Sequence, residues 1–231
     1  MVEGTGLENR HVRKGIGGSN PPASADRHLC GTVSSMENEN KSYHIDQLQT
    51  DVSLLSFMAA VSIFLNGLLL TKFDSYDVFI KVPISFLIIS TLGFLFSSLI
   101  LANTTQHIID NKFAKAKKHI LWGYAISEYM GVYLFVLSIP LAVNVITSDL
   151  YLRIVTLTAT LLGMLVYQFM GFSILERHFP KTYRKFSIAA ILFLLALFIS
   201  QIWRVNFIEI SIAFLLFILV ITYLGPKENF K

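Results

Sequence analysis

The sequence predicts an all-α integral membrane protein of six transmembrane helices, with short loops and both termini in the cytoplasm. Three observations carry that reading. First, six continuous apolar runs fall at 52–70, 82–102, 120–146, 150–175, 186–203 and 207–224, each close to or above the roughly 20 residues that cross a bilayer as a helix. Second, 54% of the residues are hydrophobic and only 15% charged, whereas a soluble domain carries about 25% charge. Third, Lys and Arg separate by side. From Met36 onward, eleven fall at the N-terminus, in the second and fourth loops and at the C-terminus, and four in the alternate loops. Basic residues accumulate on the cytoplasmic face, so an even number of spans with cytoplasmic termini fits. The runs are continuous rather than alternating, which selects helices over a barrel. Hydrocarbon in turn demands that each span satisfy its own backbone polar groups.

Residues 1–35 are rich in Gly, Ser, Asn, Pro and charge and have no apolar period, the composition of a disordered tail. Back-translation suggests more. Gly17-Gly18-Ser19-Asn20-Pro21-Pro22 is encodable by a string containing GGTTCGAATCC, which resembles the T-arm of a transfer RNA gene. Gly6-Leu7-Glu8-Asn9-Arg10 is encodable by a string that resembles a serine tRNA anticodon arm. The resemblance implies that this stretch is read through a tRNA gene and that translation properly starts at Met36. Cys30, His11 and His28 then leave any functional argument. A position beside a tRNA gene also suits cargo of a mobile element.

The remaining elements follow in order. Residues 36–51 form a short cytoplasmic N-terminus, and the first span is expected to act as an uncleaved anchor, since no basic n-region and cleavage site flank it. It carries one polar residue, Asn66. Pro83 opens the second span at a first-turn position, and Asn103 and His107 lie at its inner end. The second loop holds Lys112, Lys115, Lys117 and Lys118. The third span has Trp122 and Tyr124 as interfacial anchors and Gly123, Ser127 and Gly131 at a spacing of four. It is long and contains Pro140, so a kink is expected, with Asn144 one turn on to satisfy the freed carbonyls. The fourth span sets Ala159, Gly163 and Gly171 on one face, with Tyr167 between, and also carries Gln168. Small residues at this spacing allow backbones to approach, so spans three and four are expected to share a tight contact. The fourth loop holds Arg177, Lys181, Arg184 and Lys185. Gln201 and Trp203 lie near the end of the fifth span, Arg204 and Glu209 flank the turn into the sixth, and Tyr223 anchors the sixth before the tail 225–231.

An internal similarity links spans two and four. Asp77-Val78-Phe79-Ile80-Lys81 matches Asp149-Leu150-Tyr151-Leu152-Arg153 ahead of them, and 109–115 matches 175–181 behind them. A parallel repeat of one helical hairpin would give this pattern; so would independent helix starts, where Asp favours the helix dipole.

Glu128 is the carboxylate furthest inside a span. Eight residues past the start of the third run, it lies roughly 12 Å deep at 1.5 Å per residue. A carboxylate in hydrocarbon is costly unless paired, protonated or hydrated, which makes it a functional candidate. Asn103, His107, Tyr167 and Gln168 are its expected neighbours, and Glu128 with His107 would form a proton or cation site. The alternative is a hydrogen-bonded Glu that ties helices together.

The charge of +4 sits in loops, as orientation alone requires, so nucleic acid is not an expected partner. The single Cys excludes an intrachain disulfide. His107, His119 and His178 match no metal motif, no hydrolase or protease motif is present, and neither metal nor cofactor is expected. Two functional classes remain ahead of an enzyme. One is a non-enzymatic membrane component, such as an accessory subunit, sensor or cargo protein, whose basic loops meet anionic lipid headgroups or an unknown protein partner. The other is a small proton- or cation-coupled transporter or channel built on Glu128, as a homodimer because six spans alone hardly enclose a path.

Overall fold

The computed structural model describes residues 25–169, 180–203 and 205–228, with side chains for 45–167, 186, 188–203 and 205–224. Two units divide the chain, Met1–Asn40 and Lys41–Lys231. The tRNA-like segments and most of residues 1–35 lie outside the described residues.

The described residues are helical, without strands. In chain order the helices are α1 (Ala25–Thr71), two single 3₁₀ turns (Phe73–Ser75 and Val78–Ile80), α2 (Lys81–Ile109) and α3 (Phe113–Ala125). A π-helical segment (Ile126–Tyr133) leads into α4 (Leu134–Ile146), followed by α5 (Leu150–Phe169), α6 (Pro180–Trp203) and α7 (Phe207–Glu228). Among the described residues five stretches are long and apolar enough to cross a membrane: Ile45–Thr71, Val78–Ile109, Phe113–Ile146, Leu150–Tyr167 and Phe207–Leu224. The apolar helix Ile188–Trp203 is shorter. Large apolar side chains such as Phe57, Phe64, Leu99, Leu162 and Leu216 stand exposed on these helices, as expected of surfaces solvated by lipid.

Local chemistry explains the boundaries. The Schellman pattern closes α2: the Lys112 N–H donates to the His107 carbonyl, the Asn111 N–H to the Ile108 carbonyl, and Asn111 takes a left-handed φ of 58°. The chain reverses there into α3. Thr147 is extended after α4, and the Asp149 carboxylate accepts from the N–H groups of Tyr151 and Leu152, an N-cap for α5. Asp77, its counterpart in the internal similarity, makes no side-chain cap, so the two helix starts differ in mechanism.

The core lies between α2 and the α3–π–α4 rod, which run antiparallel, with α6 and α7 packed against the rod and Phe214 of α7 also reaching Phe86 of α2. Burial grades outward. The central windows of Val78–Ile109 and Phe113–Ile146 are each 56% buried, that of Phe207–Leu224 28%, Ile45–Thr71 22% and Leu150–Tyr167 only 6%. Most hydroxyls inside the bundle donate to their own helix: Ser62, Thr91, Thr104 and Thr222 each bond the carbonyl four residues earlier. Ser90 and Ser97 of α2 instead reach across to the rod, to the carbonyls of Gly131 at 2.8 Å and Gly123 at 2.5 Å.

Candidate functional site at the π-helical turn

Those two bonds set the register of the site. Between them the α2 backbone at Gly93 closes on the rod so tightly that a Cβ there would stand 2.9 Å from the Gly131 nitrogen. Gly131 in turn seats the Phe94 ring and Gly123 seats Leu101. The glycines of span three therefore make their close contact with α2, not with span four. Ser127 is buried and donates to the Tyr124 carbonyl within the rod.

Glu128 sits in this zone, on the π-helical segment, at 4% exposure. A π-turn widens the helix by one residue and recurs at functional positions. Gly93 and Phe94 occupy the α2 side of the segment, and aromatic rings wall it towards α6. Tyr129 and Tyr133 both meet the Phe186 ring edge-on, with centroids at 4.5 and 4.6 Å, and Phe186 stacks on Phe217 of α7. The carboxyl is therefore remote from bulk water, buried among backbone and aromatic rings.

The expected neighbours of Glu128 are distributed differently. His107 pairs with His119 across the α2–α3 turn, ring centroids 4.9 Å apart. It lies ten residues beyond Ser97, roughly 15 Å along α2 at 1.5 Å per residue, so the register does not bring it to Glu128. Asn103 is exposed on α2. Tyr167 is half-buried on α5, where it lines an apolar cavity of about 400 Å³ with Tyr133, Val136, Ala159 and Gly163. Ala159 and Gly163 thus border open space; a Cβ on Gly163 would meet nothing within 4 Å. α5 nevertheless packs on α4, with the cavity lying between these small residues and Val132, Val136 and Ile139 of the rod. The side chains of Gln168, Lys181, Arg184 and Lys185, and residues Gly171, Arg177, His178 and Arg204, lie outside the described residues. Of the second-loop lysines, Lys112 pairs with Asp110 at 3.0 Å, while Lys115, Lys117 and Lys118 are exposed. Lys112 and Gln106 together hold the Asp110 carboxyl below its usual range.

Four further polar features lie outside the expected set. The Tyr124 hydroxyl donates to Asp51 of α1 at 2.5 Å; Asp51 reads in the sequence as the last loop residue before the first apolar run. Ser90, Gly93 and Ser97 form a small-residue face on α2 at spacings of three and four. Asn144 donates to Gln201 Oε1 at 2.8 Å, and Gln201 Nε2 donates to the Leu141 carbonyl. Asn144 therefore ties α4 to α6 instead of serving the carbonyls freed by Pro140. Asn66 faces the Ile84 carbonyl and the Ile88 N–H at 3.3 Å each, with its amide turned to satisfy both. Among the described residues no group of three or more His, Cys, Asp or Glu could hold a metal ion. Comparison with protein-family models, curated proteins and solved structures finds nothing similar to this chain.

Proposed function

We propose that the chain is a six-span membrane protein with cytoplasmic termini that acts as a non-enzymatic component, assembling through α5 with a second copy of itself. The exposure of α5 carries this reading. Its window is 6% buried, and an apolar cavity of about 400 Å³ separates its small residues Ala159 and Gly163 from Val132, Tyr133, Val136 and Ile139 of the rod, so α5 is seated loosely on its own chain. Small residues at a spacing of four admit close backbone approach, and here the approaching helix would come from a partner. A count of six takes in α6, the fifth apolar run, whose 24 residues rise roughly 36 Å at 1.5 Å each. Placing the lysine-rich α2–α3 turn in the cytoplasm sets Lys115, Lys117 and Lys118 near anionic headgroups, each contributing about 1 kcal/mol. The test is cysteine crosslinking in native membranes, on a Cys30→Ala background. Gly163→Cys should give a disulfide-linked dimer and Leu192→Cys on α6 should not. A monomer in both, with the protein folded, overturns the reading.

A second reading is favoured by Glu128. A carboxyl at 4% exposure on a π-helical turn supports a proton- or cation-coupled carrier with that group on the path. Purified chain in liposomes should pass protons or cations, and Glu128→Gln should remove the flux. Absence of flux above empty liposomes from folded protein would set this reading aside.

A further inference from the structure

We propose that the end of the bundle opposite the Lys112 turn holds a binding site for a small carboxylate that carries a hydrogen-bond donor beside it, the pattern of an α-amino or α-hydroxy acid. A cavity of about 260 Å³ opens there, lined by Asp77, Phe79, Asn144, Arg153 and Gln201 among others. It is the polar counterpart of the lipid-facing groove on α5, and it sits where α4 ends, α5 begins and α6 ends.

Two groups define the ligand. Asn144 is 5% exposed. Its Nδ2 is engaged with Gln201, but Oδ1 is buried with no hydrogen-bonding partner among the described residues. Buried polar atoms of this kind are rare in folded proteins, and each calls for a donor. The Asn144–Gln201–Leu141 chain of bonds prevents the amide from rotating freely to find one. Arg153 is half-buried. Its Nε donates to the Thr147 carbonyl at 2.7 Å, which anchors the guanidinium and leaves its terminal nitrogens as donors on the cavity wall. A guanidinium held at one nitrogen presents a fork suited to a carboxylate. An anion alone would satisfy Arg153 and leave Asn144 Oδ1 unmet. A ligand with an ammonium or hydroxyl next to its carboxylate meets both. The cavity lies below the usual volume range of drug-sized pockets, which restricts the ligand to a few heavy atoms.

The experiment is equilibrium binding to the full chain in lipid nanodiscs, with glycine, L-serine and L-lactate as probes and acetate as the anion that lacks the donor. Saturable binding of one or more of the three is expected, with acetate weaker by about tenfold or more, since a site built to meet a donor rejects the analogue without it. Arg153→Gln should weaken the best probe by about tenfold or more, and Asn144→Leu should reduce it to the level of acetate. Arg153→Lys, which keeps the charge but not the fork, reports on the same contact if the Gln variant does not fold. No saturable binding of any probe up to about 10 mM, far weaker than a millimolar site, overturns the proposal. So does acetate binding as tightly as the others, or an affinity unchanged in the folded Arg153 variants.

Discussion

The Ser90 hydroxyl of α2 donates to the Gly131 carbonyl at the π-helical turn, 2.8 Å away and fully buried. The bond crosses between the two most buried helices and meets the backbone where the rod departs from α-helical pairing. Removing the hydroxyl leaves a carbonyl without its cross-helix donor, in surroundings where no water replaces it. Ser90→Ala should lower stability by about 0.5–1.5 kcal/mol. Thermal unfolding in detergent checks this, with Ser62→Ala as the comparison, since Ser62 bonds only its own helix and its loss should be close to neutral.

Gly93 and Gly163 test what a small residue is for at each position. A Cβ at Gly93 would come within 2.9 Å of a backbone nitrogen and 3.0 Å of the Met130 Cβ, so α2 and the rod would have to separate. Gly93→Ala should cost about 1–3 kcal/mol through overpacking. A Cβ at Gly163 has free space, so Gly163→Ala should leave the monomer's melting temperature unchanged. The pair is read in the same unfolding experiment, and equal losses at both positions would contradict the packing described here.

How much of this was legible in the sequence depends on the length of chain over which the cause acts. The helices could be read because hydrocarbon leaves a continuous apolar run little choice of backbone. The burial of Glu128 followed from its depth in such a run. Its neighbours did not follow. Counting from the basic end placed His107 and Glu128 at similar depths, yet the hairpin turn at Asn111 pairs His107 with His119 and leaves Glu128 opposite the Ser90–Ser97 stretch. Small-residue spacing likewise told that the Gly123–Gly131 face would be approached closely. It did not tell that Leu101 and Phe94 of α2 would do the approaching. The π-turn had no local signal, because it is the tertiary fit to Gly93 and Phe186 that accompanies the extra residue.

Asn111 occupies the left-handed region at the end of α2, with φ at 58°. That conformation costs a residue with a Cβ roughly 1–2 kcal/mol, Asn less than most. Asn111→Ala should therefore destabilise by about 1 kcal/mol, while Asn111→Gly, free of the Cβ clash, should be near neutral. Chemical denaturation of the two variants side by side gives the sign; an Ala variant as stable as the parent would mean that the turn has relaxed out of the Schellman geometry.

Tyr124 and Asp51 hold α1 to the rod by a hydrogen bond of 2.5 Å. Elsewhere among its described side chains α1 has few polar ties to other helices, among them Ser56 to Ser98 at 3.2 Å and Asn66 against α2, and its window is only 22% buried. A bond to a carboxylate contributes about 1.5–3 kcal/mol, so its loss should fall on α1 more than on the bundle. Tyr124→Phe keeps the buried ring and removes only the donor. Hydrogen–deuterium exchange should then rise along α1 near Asp51 while α2 and the π-helical segment keep their protection, because local opening draws on the least-supported element first. Asp51→Asn, which retains an acceptor but not the charge, should give a smaller rise at the same amides. Uniform deprotection of all helices in Tyr124→Phe would instead make this bond part of the core's global stability.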